Sequence, residues 1–170
     1  MTASRVTYAN LFSEAWNNIY QLIKSNATDP LMSSYEKRKW VYSDEPDVKA
    51  SDFKGYPFII VWPAELDIPE EEATVDGRSK RTQWTVEIEI VASDRGYGGK
   101  DGQGRSHLDS VSNSVMQVLM NITNRKTLRD NGLYKLVPAA SGVTEEPLEN
   151  EKVFRRTFVL SFRGKMQVTA

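Results

Sequence analysis

Cysteine is absent from this chain of 170 residues, which removes disulfides, thiolate nucleophiles and thiolate metal sites together. The absence fits folding in a reducing compartment, a cytoplasm being the natural expectation. Histidine occurs once, as His107, so no two-histidine metal set forms within one chain. An excess of one charge is lacking too: 22 basic residues stand against 23 acidic ones, a formal net charge of -1. No global field draws such a chain onto nucleic acid or an anionic membrane, and any contact of that kind must be local. Nowhere do about 18 uncharged apolar residues run together, so no segment reads as bilayer-spanning. The start, Met1-Thr2-Ala3-Ser4-Arg5, leads into a helical pattern rather than into a signal peptide.

Nucleotide and hydrolase motifs are missing on spacing. A P-loop needs G-x-x-x-x-G-K followed by Ser or Thr, and Gly99-Lys100 is followed by Asp101, a carboxylate where a hydroxyl is required. The same glycine-rich loop lacks G-x-G-x-x-G, because Asp101 stands three after Gly98 and His107 three after Gly104. No G-x-S-x-G elbow occurs. The clusters Asp44-Glu45-Asp47, Glu70-Glu71-Glu72 and Glu145-Glu146 lack the ligand spacing and glycine of a calcium loop and read as solvated charge. No catalytic residue, metal site or cofactor is expected, and the chain reads as no enzyme.

What is present reads as one domain, long enough to bury roughly 70% of the surface its unfolded form exposes. From Tyr8 to Lys24 apolar residues recur by threes and fours, which predicts an amphipathic helix, with Thr7 able to cap it and Ser25 to Pro30 ending it. Tyr35 to Tyr42 suggests an edge strand, Ser43 to Gly55 an acidic, turn-rich loop, and Tyr56 to Trp62 (YPFIIVW) a buried strand. Glu65 to Lys80 is a long polar excursion with few anchoring residues, of the kind that is functional, disordered or ordered by a partner. Its Asp76-Gly77 could equally turn a hairpin whose arms stand away from the domain.

Strict alternation over Thr82 to Ala92 puts Trp84, Val86, Ile88, Ile90 and Ala92 on one face of a strand, with Gln83, Thr85, Glu87 and Glu89 on the other. A glycine-rich link then leads to a helix over Arg105 to Asn121, with Ser106 as cap and Leu108, Val111, Val115, Val118, Leu119 and Ile122 as its inward stripe. Asn124 to Gly132 contains a basic pair and an Asn-Gly turn, Leu133 to Val137 reads as a short strand, and Ala139 to Asn150 as a second acidic loop. Lys152 to Val168 is a long last strand, its Phe154, Phe158, Leu160 and Phe162 face broken by Arg156 near the rim of the core. The order α-β-β-β-α-β-β describes a single α+β domain, an antiparallel or mixed sheet with two main helices on one face.

The N-terminal amphipathic helix, the YPFIIVW segment, the long excursion, the W-T-V-E-I-E-I strand, the glycine-rich link and the F-R-R-T-F-V-L-S-F strand together resemble the tail terminator, or tail completion, proteins of long-tailed bacteriophages of the lambda type. The resemblance covers nearly the whole chain and lies in element order, size and strand texture. It implies a structural virion subunit, made in the host cytoplasm, that forms a hexameric homo-oligomeric ring on the tail tube protein. Such a ring stops tube growth and meets a head-side connector, while DNA passes without specific binding and no membrane is involved. Residues 1–170 would then be one tail-terminator-like domain with a loop protruding over about 63–81. The interface residues it implies are Glu70, Glu71, Glu72, Asp76, Arg78, Lys80 and Arg81, acidic on one subunit and basic on the next.

Two other readings stay open: another ring-forming virion protein, such as a tail tube subunit or head-tail connector, and a small cellular domain that binds a ligand or nucleic acid. The last would bind through Lys37 to Trp40 and the glycine-rich loop, since cations interleaved with an aromatic can track phosphates.

Overall fold

In a computed structural model, the chain is described at residues 3–7, 10–31, 38–67, 79–95 and 102–167. Helix α1, Leu11–Asn26, buries Ala15, Ile19, Leu22 and Ile23, the threes-and-fours stripe of the sequence, while Phe12 is exposed. Thr7 is not its cap. Asn10 holds that position, and its Oδ1 accepts from the Thr7 backbone N–H at 2.6 Å and from Thr7 Oγ1 at 3.0 Å. The chain leaves the helix at Ala27, which is extended, so the breaker acts two residues later than Ser25. Buried Asn18 hydrogen-bonds the Ser4 carbonyl at 2.8 Å and accepts from Asn131 Nδ2 at 2.6 Å, tying the N-terminal segment to a distant turn.

Strands β1 (Val41–Tyr42), β2 (Phe58–Val61), β3 (Glu65–Asp67) and β4 (Ser79–Ser93) follow. Next come helices α2 (Gly104–Met120) and α3 (Ile122–Asp130), then strands β5 (Leu133–Ala140), β6 (Thr144–Pro147) and β7 (Lys152–Gln167). They form a mixed seven-stranded sheet in the order β1-β2-β4-β7-β5, with β3 on β4 and β6 on β7. Among the described residues, only β1 and β2 pair in parallel. The α+β class is as the sequence predicts, but the order is richer. The start of the polar excursion and the second acidic loop contribute short strands, Glu65–Asp67 and Thr144–Pro147, because each lies beside a long strand with free backbone groups to pair.

The Asn131-Gly132 turn is present, but the residues before it, with the basic pair, form helix α3, to which the sequence assigned no element. Asn121, extended at φ -63 and ψ 128, ends α2 and caps α3, accepting from the Thr123 and Asn124 amides at 2.9 and 3.2 Å. The break turns Ile122 away from the α2 stripe, where it was expected, and leaves it 85% exposed. Nor does Ser106 cap α2, which starts at Gly104 after Gln103 with no side-chain cap bond. The Tyr35 to Tyr42 strand is reduced to Val41–Tyr42 at the sheet edge, residues 32–37 lying outside the described ones.

The core lies between the sheet and α1 and α2. Trp84, Val86, Ile88 and Ile90 of β4 and Phe154, Phe158, Leu160 and Phe162 of β7 meet Leu108, Val111, Val115 and Leu119, as the period-2 and helical patterns require. Arg156, expected at the rim, reaches Asp109 at 3.0 Å. A second, smaller cluster of Tyr42, Phe58, Ile60, Val91 and Val153 is built under Phe53, Tyr56 and Trp62.

Gly104 fixes how closely α2 approaches β4. A Cβ there would stand 2.5 Å from the Ser93 carbonyl carbon and 2.6 Å from the Asp94 nitrogen, backbone atoms that cannot swing aside. Gly104→Ala is therefore expected to cost about 1–3 kcal/mol by overpacking. Urea midpoints check this against Gly142→Ala, where a Cβ meets nothing within 4 Å and stability should hold. Equal midpoints for the two variants would refute the close approach.

Candidate assembly surfaces

Strands β4 and β7 pair over 15 residues, from Ser93 opposite Val153 to Ser79 opposite Gln167. Most of this ladder is flanked by other strands, β2 at Phe58–Val61, β3 at Glu65–Asp67, β5 from Leu133 and β6 at Thr144–Pro147. The last pairs, Arg81 with Lys165, Lys80 with Met166 and Ser79 with Gln167, have no third strand among the described residues and extend about 10 Å. Arg81 and Lys165 are register partners in this ribbon. Of the residues singled out in the sequence, Lys80 and Arg81 thus fall on the ribbon end. Glu70, Glu71, Glu72, Asp76 and Arg78 lie outside the described residues.

Of the basic groups proposed for nucleic acid, Arg38 is occupied internally, Lys39 is exposed, and Lys37 lies outside the described residues; Arg155 is occupied internally too. Arg38 is buried against Asp29, its Nη2 donating to Oδ1 at 2.7 Å and to the Pro57 carbonyl at 2.7 Å, and its Nη1 to the Gly55 carbonyl at 2.9 Å. Lys39 lies over the Tyr42 ring at 4.7 Å. Arg155 meets Glu89 at 2.8 Å and Glu45 and Glu146 at 3.6 Å. Burial works to lower its pKa, but the Glu89 hydrogen bond and the three carboxylate charges raise it. Glu45 and Glu146 are more than half exposed, so their contacts are screened by solvent and Glu89 is the close partner. Arg155→Ala should cost about 1–2 kcal/mol, because three elements lose one half-buried forked donor. Arg155→Lys should recover only part, lacking the fork. Thermal melts in low and high salt test this, and a wild-type melt for the alanine variant would refute it.

Two surfaces were not foreseen. Between α3 and β5 runs a groove of about 340 Å³ with Leu128, Leu133 and Leu136 in its floor and Arg125, Lys126, Arg129 and Lys135 around it, with no acidic residue in the lining. Lys126, Arg129 and Lys135 are exposed and form no ion pair among the described residues. Arg125 is partly used in holding the groove together, donating to the Leu119 carbonyl at 3.0 Å and the Leu136 carbonyl at 3.2 Å. The basic pair in the sequence was the available signal, but with no helix assigned there it carried no face. At the other end of the sheet, a cleft of about 270 Å³ is lined by Asp44, Glu45, Asp47 and Asp52, with Lys39 as its one cation. Burial pushes the Tyr56 phenol up nearby, and Glu151 adds to it.

The described residues hold no cluster of three carboxylates or histidines suited to a metal ion. They include no helix long and apolar enough to cross a membrane.

No protein-family profile matches the chain. Over 90 residues, 53% of its length, it is 29% identical to "Glutathione S-transferase Y1" of Cricetulus longicaudatus. The chain spans 39% of that relative's length. This stretch of likeness to a transferase overturns the expectation that the chain is no enzyme, which rested on missing motifs alone. Among solved structures, the chain is similar to one described as "Virion of native gene transfer agent (GTA) particle", with a TM-score of 0.45 and 14% identity, over 88% of this chain and 94% of that one.

Proposed function

We propose that this chain is a structural virion subunit that forms a ring, six-fold in number, on the head-proximal end of a phage tail tube. There it stops tube growth and joins the tail to a head-side connector, DNA passing through without being held. Residues 1–170 are on this reading one tail-terminator-like domain. The observation that carries it is the β4–β7 ribbon, which has no third strand among the described residues at its basic end and leads into the polar excursion at 68–78. An isolated two-stranded ribbon is marginal in water and gains from a neighbour that completes it. Cyclic rings supply that neighbour through heterologous contacts, in which one surface meets a different one next door. Glu70, Glu71, Glu72 and Asp76 of one subunit then face Arg78, Lys80 and Arg81 of the next or the tube beneath.

Native mass spectrometry and electron microscopy at high protein concentration are expected to show single six-fold rings. Long stacks would identify a tube subunit instead, and a strict monomer that also ignores tail tubes would sink the reading. The stretch similar to a glutathione S-transferase favours a second reading, transfer of glutathione to an electrophile. Conjugation of glutathione no faster than without protein removes it.

A further inference from the structure

Among the described residues, the α3–β5 groove and the lobe around Asp44 to Asp52 carry opposite charge. The α3–β5 groove lies beside the end of β7 near Gly164, and the acidic lobe around Asp44 to Asp52 beside the end near Val153. Eleven residues of strand, about 36 Å, separate these levels. Each end also carries apolar surface open to water. Met120 and Ile122 flank the basic groove, and Val48 lies within the acidic lobe with Leu148 on the nearby β6 turn. Asp44, Asp47 and Asp52 have no cation within ion-pair distance among the described residues, just as Lys126 and Arg129 have no anion.

We propose that the acidic lobe of one copy of this chain seats on the α3–β5 groove of a second copy, with Val48 set against the apolar groove mouth at Ile122. Charge decides the partner and the geometry. Groove against groove sets four cations against four, and lobe against lobe sets carboxylates together, so a two-fold dimer through either patch is repelled. The head-to-tail contact alone satisfies both ends, and it leaves an acidic lobe free at one end and a basic groove at the other. Such a contact closes into a ring or runs on as a filament. The inference rests on the ring reading only for the closure, since the contact stands whether or not it closes.

The absence of cysteine gives a clean test. Val48→Cys and Ile122→Cys chains, mixed and oxidised, should yield the mixed disulfide dimer at least about tenfold faster than either chain alone gives its homodimer. In the second arm, Lys126→Glu/Arg129→Glu and Asp44→Lys/Asp47→Lys chains should each associate about a hundredfold more weakly than wild type. Mixing the two should restore association, because each then meets an opposite charge. Circular dichroism checks that both variants fold.

Equal rates for mixed and single cysteine chains overturn the contact, as do reversals that leave association intact. A groove that retains duplex DNA at low salt, loses it in Lys126→Glu/Arg129→Glu and gives no mixed disulfide also overturns it, by assigning the groove to phosphate. Rings without the mixed disulfide would leave the ring reading standing and remove this contact. The mixed disulfide with open filaments would keep the contact and remove the closed ring.

Discussion

Asp29→Ala is expected to remove about 3–5 kcal/mol of stability, the cost of breaking a buried ion pair by deleting one partner. The Arg38 and Asp29 side chains are 2% and 6% exposed, so solvent does not replace the lost carboxylate. Arg38 donates to both Asp29 oxygens and to the carbonyls of Lys54, Gly55 and Pro57. It therefore joins the end of α1 to the segment that enters β2. A loss of this size is a large part of the roughly 5–15 kcal/mol that holds a domain together. For a chain of this length it corresponds to a fall of roughly 6–20 °C in melting temperature. Exchanging both partners for apolar residues can be neutral elsewhere. Here it should not be, because three carbonyls would lose their donor. A double-mutant cycle with Asp29→Leu and Arg38→Met measures the coupling. A single Asp29→Ala cost below about 1 kcal/mol would show that the pair is solvated and not a staple.

Elements governed by local periodicity were legible in the sequence. The alternation over Thr82 to Ala92 gave the faces of β4, since side-chain direction in a strand follows from sequence position alone. The threes and fours of Ala15, Ile19 and Ile23 did the same for α1. Helix α3 was not legible, because ITNRKTLRD buries only Leu128 and an Asn-Gly pair follows it. Its support comes from outside itself, from the Asn121 cap and from Arg125 reaching Leu119 and Leu136. Short strands β3 and β6 escaped notice for a related reason: nothing in Glu65–Asp67 or Thr144–Pro147 favours a strand until β4 or β7 lies alongside.

The charge asymmetry was hidden more deeply. Formal net charge sums to -1 and conceals two patches of opposite sign. Lys126, Arg129 and Lys135 become one surface only when α3 folds back on β5, and Arg38 leaves the basic inventory only when Asp29 is seen beside it. The candidate interface thus depends on tertiary placement, whereas the fold class depends on patterns a few residues long.

Trp84→Ala should cost about 3–5 kcal/mol, as for other large aromatic truncations in a core, and should loosen the ribbon before it unfolds the domain. Trp84 is fully buried where the ribbon leaves the sheet. It is paired in register with Phe162 on one side and Leu66 on the other, its ring 5.8 Å from that of Phe162. Gly164 makes room for it: a Cβ there would come within 2.9 Å of Trp84 Cζ3 and of Thr82 Oγ1. The indole N–H has no hydrogen-bond partner among the described residues, a cost of about 1–3 kcal/mol that the ring's packing must exceed. Trp84→Phe removes that orphan donor along with part of the volume, so it should cost far less than alanine. Equal losses for the two would refute packing as the source. Hydrogen exchange supplies the readout that links the core to assembly. In Trp84→Ala, amides of Thr82 to Thr85 should exchange faster while those of Ile88 to Val91, held by β2 and β7, stay protected at temperatures below the melt. If the proposed ring depends on a rigid ribbon end, this variant loses association at those same temperatures. Wild-type association with a loosened ribbon would free the ring from the ribbon and leave the lobe and groove as its only support.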